Sequence, residues 1–358
     1  MKGALRVVTP VAISPSFFVE MRLALVFSFP MLKFILRRIL AAIPLLLAST
    51  LLAFAVIQLA PGDFLTKFQG QPGIRQETLD AMREQFGLTQ PWYVQYLKWL
   101  WNVLHGNFGY SFDKKAPVFT LIGQKVYYTL LLALTSMLMS WIIAIPLGVL
   151  IARKRNGFLD RFANFWAFAG ISLPGFFMAL LAMRYAQQTG YFPVGGATSA
   201  PSATSGGYES LSHWGKILDT GWHLFLPTLV LGVRGVAGLM RQMRGNILDV
   251  LGENYVLAAR ARGLSERKVI WKHAFRNSIN PLITLLGYEI SGLLAGAALV
   301  EAVMSWPGLG LMLLDAVQAE DLYLAVGSLV MGTILLITGN LIADILLAYA
   351  DPRIRYDS

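Results

Sequence analysis

The sequence predicts an all-α, polytopic membrane protein with six transmembrane helices, and three observations carry that prediction. Of its 358 residues, 56% are hydrophobic and only 14% are charged, against about 25% charged in soluble domains. The mean hydropathy is +0.56. Such a chain lacks the polar surface to cover soluble cores, and it is too apolar to remain disordered. Six apolar runs each approach the ~20 residues that cross a ~30 Å hydrocarbon core as a helix. Finally, Lys and Arg fall unevenly in the loops between those runs, as membrane topology requires.

Taken in order, residues 1–30 hold a short apolar stretch, 23–30, too short to span, and Ala12-Ile13-Ser14-Pro15 is a poor cleavage site for a signal peptide. This extension reads as disordered, or as the product of a start placed too early, with Met31-Leu32-Lys33-Phe34 as the natural beginning. Residues 31–123 comprise the first span, 39–60, and a segment outside the membrane on the far side. In that segment Arg75-Gln76-Glu77 leads into Leu79, Met82 and Phe86, with Gly87 placed as a C-cap. Pro91 then opens an aromatic run whose Trp92, Tyr93, Tyr96, Trp99 and Trp101 suit an interfacial belt. Residues 124–350 form a five-helix core with spans at 127–152, 163–186, 224–240, 282–303 and 323–350, followed by a tail, 351–358. Pro146, Pro174 and Pro227 predict kinks within the bundle. The fourth span is the weakest, because Arg234 interrupts it, and the 187–223 loop, rich in Gly, Ser, Thr and Ala, predicts flexibility.

With six spans both termini share a side, and that side carries 20 of the 30 Lys and Arg, against 7 on the other. The termini are therefore expected in the cytoplasm. The net charge of +10 follows from this retention and needs no nucleic-acid partner. The absence of cysteine excludes disulfides, thiolate metal sites and cysteine nucleophiles. His105, His213, His223 and His273 show no helical metal-site spacing, and no Gly-x-x-x-x-Gly-Lys-[Ser/Thr] phosphate loop is present. Gly292 and Gly296 form one Gly-x-x-x-Gly pair, read as a packing feature.

The most informative stretch lies between the fourth and fifth spans. An alanine-rich helix is expected from about Tyr255 to Arg262, terminated by Gly263 in a left-handed C-cap. Ser265 would then cap a second short helix near Glu266. Two short helices at an angle, bearing small side chains, make a surface that a partner can grip. Composition alone equally fits a basic loop held near anionic lipid.

This stretch resembles the signature loop of binding-protein-dependent ABC importer permeases, Glu-Ala-Ala, three residues, then Gly. Ala258, Ala259 and Gly263 fit it; Leu257 replaces the Glu, and Pro281 lies further from Gly263 than the general spacing. Both departures are shared by the peptide/nickel branch, whose pattern is matched by Tyr255, Ala259, Ala261, Arg262, Gly263, Leu264, His273, Asn277 and Pro281. Other blocks are similar in order: Pro61-Gly62-Asp63, Phe86-Gly87-Leu88, Asn107-Phe108-Gly109-Tyr110-Ser111, Glu301, Trp306-Pro307-Gly308-Leu309-Gly310, Asn340, Asp344 and Asp351-Pro352-Arg353.

The resemblance implies a type I permease fold in a bacterial inner membrane, without enzymatic activity and with no cofactor bound by this chain. ATP and Mg would sit on two separate ATPase subunits docked at the loop around Ala259 and Gly263. A second, homologous permease would complete the pore, and an extracytoplasmic solute-binding protein would deliver peptides. Nickel chelates and glutathione are alternative cargoes. Of a different class is an ion-gradient-driven secondary transporter, for which inverted repeats are expected and none is seen. Among the charges within spans, Arg234, Glu289, Glu301 and Asp344 are costly in lipid. Arg234 and Glu289 are assigned to the translocation path, paired with each other or with the ends of a peptide; Glu301 and Asp344 are read as structural.

Overall fold

Apolar segments in lipid can satisfy their backbone groups only internally, so the long runs become helices. A computed structural model of the chain describes residues 29–58, 65–66, 75–85, 87–201 and 206–350. The expected N-terminal extension (its first 28 residues), Pro61-Gly62-Asp63 and the tail with Asp351-Pro352-Arg353 lie outside the described residues.

The helices are α1 (Phe29–Gln58), α2 (Gln76–Gln85), α3 (Trp92–Leu104), α4 (Val118–Arg153), α5 (Phe158–Ser172), α6 (Gly175–Thr189) and α7 (His213–Leu251). They continue as α8 (Asn254–Ala261), α9 (Glu266–Lys268), a π segment (Val269–Ala274), α10 (Phe275–Ser278), α11 (Asn280–Val303), α12 (Leu309–Gln318) and α13 (Leu322–Ala350). A two-residue hairpin, β1 (Tyr110–Ser111) against β2 (Ala116–Pro117), precedes α4. By length and composition, residues 35–56, α4, α7 and residues 322–346 are apolar and long enough to cross a bilayer, and α5 with α6 make a fifth span if counted as one. The fifth expected run coincides with α11, a helix of 24 residues.

The prolines act unequally. Pro146 and Pro227 sit inside unbroken helices α4 and α7. At Pro174 the expected single third span is instead broken: α5 and α6 meet at 100°. Leu173 takes an extended conformation before the proline, as the clash with its ring demands.

The bundle is organised around the α4–α7 pair, its most extensive helix contact. Apolar area gives no drive between helices in lipid, so close approach and polar contacts hold them. A Cβ on Gly148 would stand 2.7 Å from Met243 Cβ, and one on Gly235 would stand 2.5 Å from Ser140 Oγ. The Ser140 hydroxyl donates to the Gly232 carbonyl at 3.0 Å, and Thr135 meets Thr228 at 3.0 Å. Large apolar side chains such as Leu52, Ile142 and Phe165 face outward, as suits a lipid-facing surface.

The segment between α1 and α4 packs on the bundle end. Gly87 ends α2 at φ +69°, with Leu88 N–H on the Arg83 carbonyl at 2.9 Å. The aromatic run of α3 divides, which corrects the single interfacial belt expected for it. Tyr96 and Trp99 (3% exposed) are buried with Phe54 of α1, and the Tyr96 hydroxyl meets Thr50 at 2.9 Å. Trp92, Tyr93 and Trp101 (64%) point outward. Helical periodicity turns alternate aromatics inward.

The expected 187–223 loop is shorter than predicted, because residues 187–189 end α6 and residues 213–223 open α7, and its described part is more fastened than its composition suggests. Gly196 N–H donates to the Met304 carbonyl at 3.1 Å, and Ser199 is held by Asp219 through both its backbone N–H and its hydroxyl.

Candidate functional site

The short helices α8 to α10 form an elbow at the end of the bundle where α7 stops. Ala258, Ala259 and Ala261 support α8 by high helix propensity. Arg262 is its C-cap; Gly263 follows at φ +75°, where L side chains are strained. The Gly263 N–H donates to the Arg260 carbonyl at 2.9 Å and the Leu264 N–H to the Ala259 carbonyl at 3.4 Å, a Schellman closure. The Arg260 guanidinium meets Glu266 across the bend at 2.8 Å. Ser265 occupies the cap position with extended backbone, but its side chain accepts no cap bond, contrary to the sequence expectation; only its carbonyl is used, by Val269 N–H at 3.0 Å. A π segment follows, placing His273 half-buried on the widened turn.

The motif residues are gathered together, but they divide between two faces. Val256, Ala259 (6% exposed) and Val269 pack as a small core with Leu264 against the end of α7. Tyr255, Leu257, Ala258, Ala261, Arg262 and Gly263 are exposed and form the outer face. The small-residue surface is therefore Ala258, Ala261 and Gly263, while Ala259 belongs to the elbow's own core. The Asn277 amide donates to the Tyr255 hydroxyl at 2.8 Å, tying α10 to α8. Pro281 opens α11 in its first turn and is exposed.

One further connection runs from the elbow into the bundle, and two ion pairs tie bundle helices to one another. Ser278 donates to the Asn246 carbonyl at 3.2 Å while the Asn246 amide donates to the Ser278 carbonyl at 2.9 Å, locking α10 to α7. Arg244 of α7 grips Asp160 of α5 with two bonds of 2.7 Å. Arg38 of α1 pairs with Asp344 of α13 at 3.2 Å.

Deeper in the bundle, Arg234 and Glu289 line one cavity of about 680 Å³, together with Gly170, Pro174, Phe176 and Val230. The 100° break between α5 and α6 forms one wall. The two charges share the cavity but form no ion pair with each other among the described residues.

At the opposite end Glu301 is fully buried. Its carboxylate accepts the Thr129 hydroxyl at 2.8 Å, Gly310 N–H at 2.7 Å and Leu311 N–H at 3.3 Å. It thus caps α12, whose unpaired first amides favour an anion, which agrees with a structural role. Three functional anchors were missed from sequence. Asp321, buried, accepts Ser111 Oγ–H at 2.7 Å, Asp113 N–H at 3.1 Å and Leu324 N–H at 3.2 Å; its position just before an apolar run was a readable N-cap signal. Asp160 and Arg244 are 84 residues apart and gave none.

Comparison with known proteins agrees with these features. Residues 144–356 match the family described as binding-protein-dependent transport system inner membrane component, and residues 31–133 match its N-terminal region. An oligopeptide transport system permease protein (AppB) of Bacillus subtilis is 40% identical over 91% of this chain and 100% of its own length. A dipeptide transport system permease protein (DppB) of Escherichia coli is 36% identical over 91% and 99%. A glutathione transport system permease protein (GsiC) of Salmonella paratyphi A is 34% identical over 91% and 100%. An elbow with the permease signature, an unpaired charged cavity and matches over almost the whole length lead to one assignment: the chain belongs to the family of inner membrane components of binding-protein-dependent transport systems, and is a permease subunit of an ABC importer rather than an enzyme.

Proposed function

We propose that this chain forms half of the translocation path of an ATP-driven peptide importer. It spans a bacterial inner membrane six times, with α11 as the fifth span and both termini in the cytoplasm. A second homologous permease completes the pore, and a solute-binding protein delivers peptide to the face that carries α2, α3 and the hairpin. Two ATPase subunits, which hold ATP and Mg, dock on the elbow. The permease names of the Bacillus and Escherichia relatives support peptide as the cargo.

The observation that carries this reading is the continuity between elbow and cavity. The elbow is bonded to α7 through Asn246 and Ser278, and α7 carries Arg234 into the cavity. Ten residues separate Arg234 from Arg244, about 15 Å along the helix, which on this reading would set the cavity well inside the membrane. Its volume falls within the roughly 300–1,000 Å³ of small-ligand sites. A zwitterionic peptide offers a carboxylate to Arg234 and an ammonium to Glu289. Differential packing between two bundle states, driven by closure of the ATPases, would move the solute.

The test is reconstitution of the four-subunit complex in liposomes with its binding protein. Uptake of labelled di- and tripeptides that needs ATP, and stops when the ATPases are omitted, is expected. Uptake by the permeases alone under a proton or sodium gradient would overturn the proposal. Glutathione, a tripeptide, belongs in the same panel, because the Salmonella relative at 34% identity is named for it.

A further inference from the structure

The geometry points to Asp160 and Arg244 as the positioning pair that makes α5 and α7 one mechanical unit, so that motion of the elbow is expressed at the Leu173–Pro174 break beside the cavity. This rests on the proposed coupling of the elbow to an ATPase.

Asp160 is 2% exposed, yet it lies in the first turn of a helix whose outer face is strongly apolar. Every oxygen on it is used. Arg244 Nε donates to Oδ1 and Nη2 to Oδ2, each at 2.7 Å. The Asn156 backbone N–H donates to Oδ2 at 2.9 Å, and the Asn164 amide donates to Oδ1 at 2.7 Å. A bidentate fork of this kind fixes direction as well as distance. It therefore sets the angle of α5 on α7, beyond holding the two together.

The contact is continued along the helices. The Arg241 guanidinium lies 4.9 Å from the Phe168 ring centre, and Gly170 admits Val233, whose Cγ1 would stand 3.0 Å from an added Cβ. So α5 is fastened to α7 from its first turn almost to its last. Immediately beyond Ser172 the chain breaks by 100° into α6, and Gly170, Pro174 and Phe176 at the break line the cavity that holds Arg234 and Glu289. On the other side of Arg244, Asn246 is bonded twice to Ser278 of the elbow. A displacement of the elbow is thus passed to α7, from α7 to α5 through the ion pair, and from α5 to the cavity wall. No other ion pair joins α5 to α7 among the described residues.

The chain has no cysteine, so spin labels can be placed at will. In the assembled transporter, the label pair F165C/Q242C reports α5 against α7, and F165C/L181C reports α5 against α6. With ATP trapped, the second distance is expected to change while the first stays constant. D160N is expected to keep ATP hydrolysis but to lower uptake per ATP about tenfold, inside the about 5- to 150-fold range of typical coupling. It should also broaden the α5–α7 distance distribution, and D160E should restore part of the uptake. A wild-type α5–α7 distance that changes with ATP would overturn the proposal, whether or not D160N assembles. So would D160N with wild-type uptake per ATP. No ATP response at either pair, with nucleotide bound, would instead refute the coupling reading on which the proposal rests.

Discussion

Glu301 offers the sharpest energetic test of how the far end of the bundle is held. Its side chain satisfies the Thr129 hydroxyl and the first two free amides of α12 inside a region that excludes solvent. Glu301→Ala leaves Gly310 N–H and Leu311 N–H without acceptors, at about 1–3 kcal/mol each. The Thr129 hydroxyl loses its acceptor too, although its oxygen still receives Leu309 N–H at 2.8 Å. The expected loss is about 3–6 kcal/mol. Glu301→Gln keeps an oxygen for the amides and forfeits mainly the charge, so about 1–2 kcal/mol is expected. Thr129→Val alone should cost about 1–3 kcal/mol. The double variant with Glu301→Ala should be less damaging than the sum, because both remove the same contact. SDS titration of the purified protein in mixed micelles measures all four. A loss under about 1 kcal/mol for Glu301→Ala, or equal losses for Ala and Gln, would refute the capping argument.

Seven other substitutions probe separate claims. At Gly263 nothing lies within 4 Å of an added Cβ, so Gly263→Ala should cost stability only through its φ of +75°, by about 1–2 kcal/mol; Gly263→Asn, which tolerates that region, should restore stability yet still impair ATP-driven uptake if a partner grips this surface. The neutral replacements Arg234→Gln and Glu289→Gln should lower peptide uptake severalfold at unchanged protein abundance, and unchanged uptake in both would remove them from the path. Asp321→Ala should free the hairpin from α13, exposing residues 112–116 to limited proteolysis that leaves the wild type intact. Trp99→Ala should cost about 3–5 kcal/mol while Trp101→Ala stays within about 0.5 kcal/mol, a contrast readable by thermal unfolding in micelles.

What sequence reveals depends on whether the determinant is local. The elbow was legible in detail because Gly263 and the alanines act within one turn, and the Gly87 cap for the same reason. The aromatic run of α3 was misread, since composition says that a belt is amphipathic but not which rings a neighbour covers; Phe54, about forty residues away, decides it. Pro146, Pro174 and Pro227 looked alike in sequence. They differ in context: Pro146 and Pro227 lie within helices packed against each other, whereas Pro174 falls at the break between α5 and α6. Ser265 shows the converse limit, because the residue type and backbone fit a cap while its hydroxyl remains unused. Arg234 and Glu289 could be chosen as charges within apolar spans, but only the fold shows that they share a cavity without meeting.

The distribution of fixed polar contacts itself argues for where the bundle moves. At one end Glu301 and Asp321 bind α4, α11, α12, α13 and the hairpin through buried carboxylates. At the elbow end the Asp160–Arg244 and Arg38–Asp344 pairs join α5 to α7 and α1 to α13. Between them the α4–α7 contact relies on glycines and hydroxyls, and Arg234 and Glu289 stand unpaired at the cavity. Breaking a buried ionic contact such as that at Asp160 costs several kcal/mol, while the Arg38–Asp344 pair, with Arg38 half-exposed, adds at most about 1 kcal/mol, and hydroxyl contacts between helices in membranes average about 0.6 kcal/mol. A conformational change therefore costs least in the middle of the bundle, at the 100° break and around the two free charges. Both ends are held by fixed polar contacts, so under the proposed coupling a push at the elbow would reshape the cavity without loosening the far end.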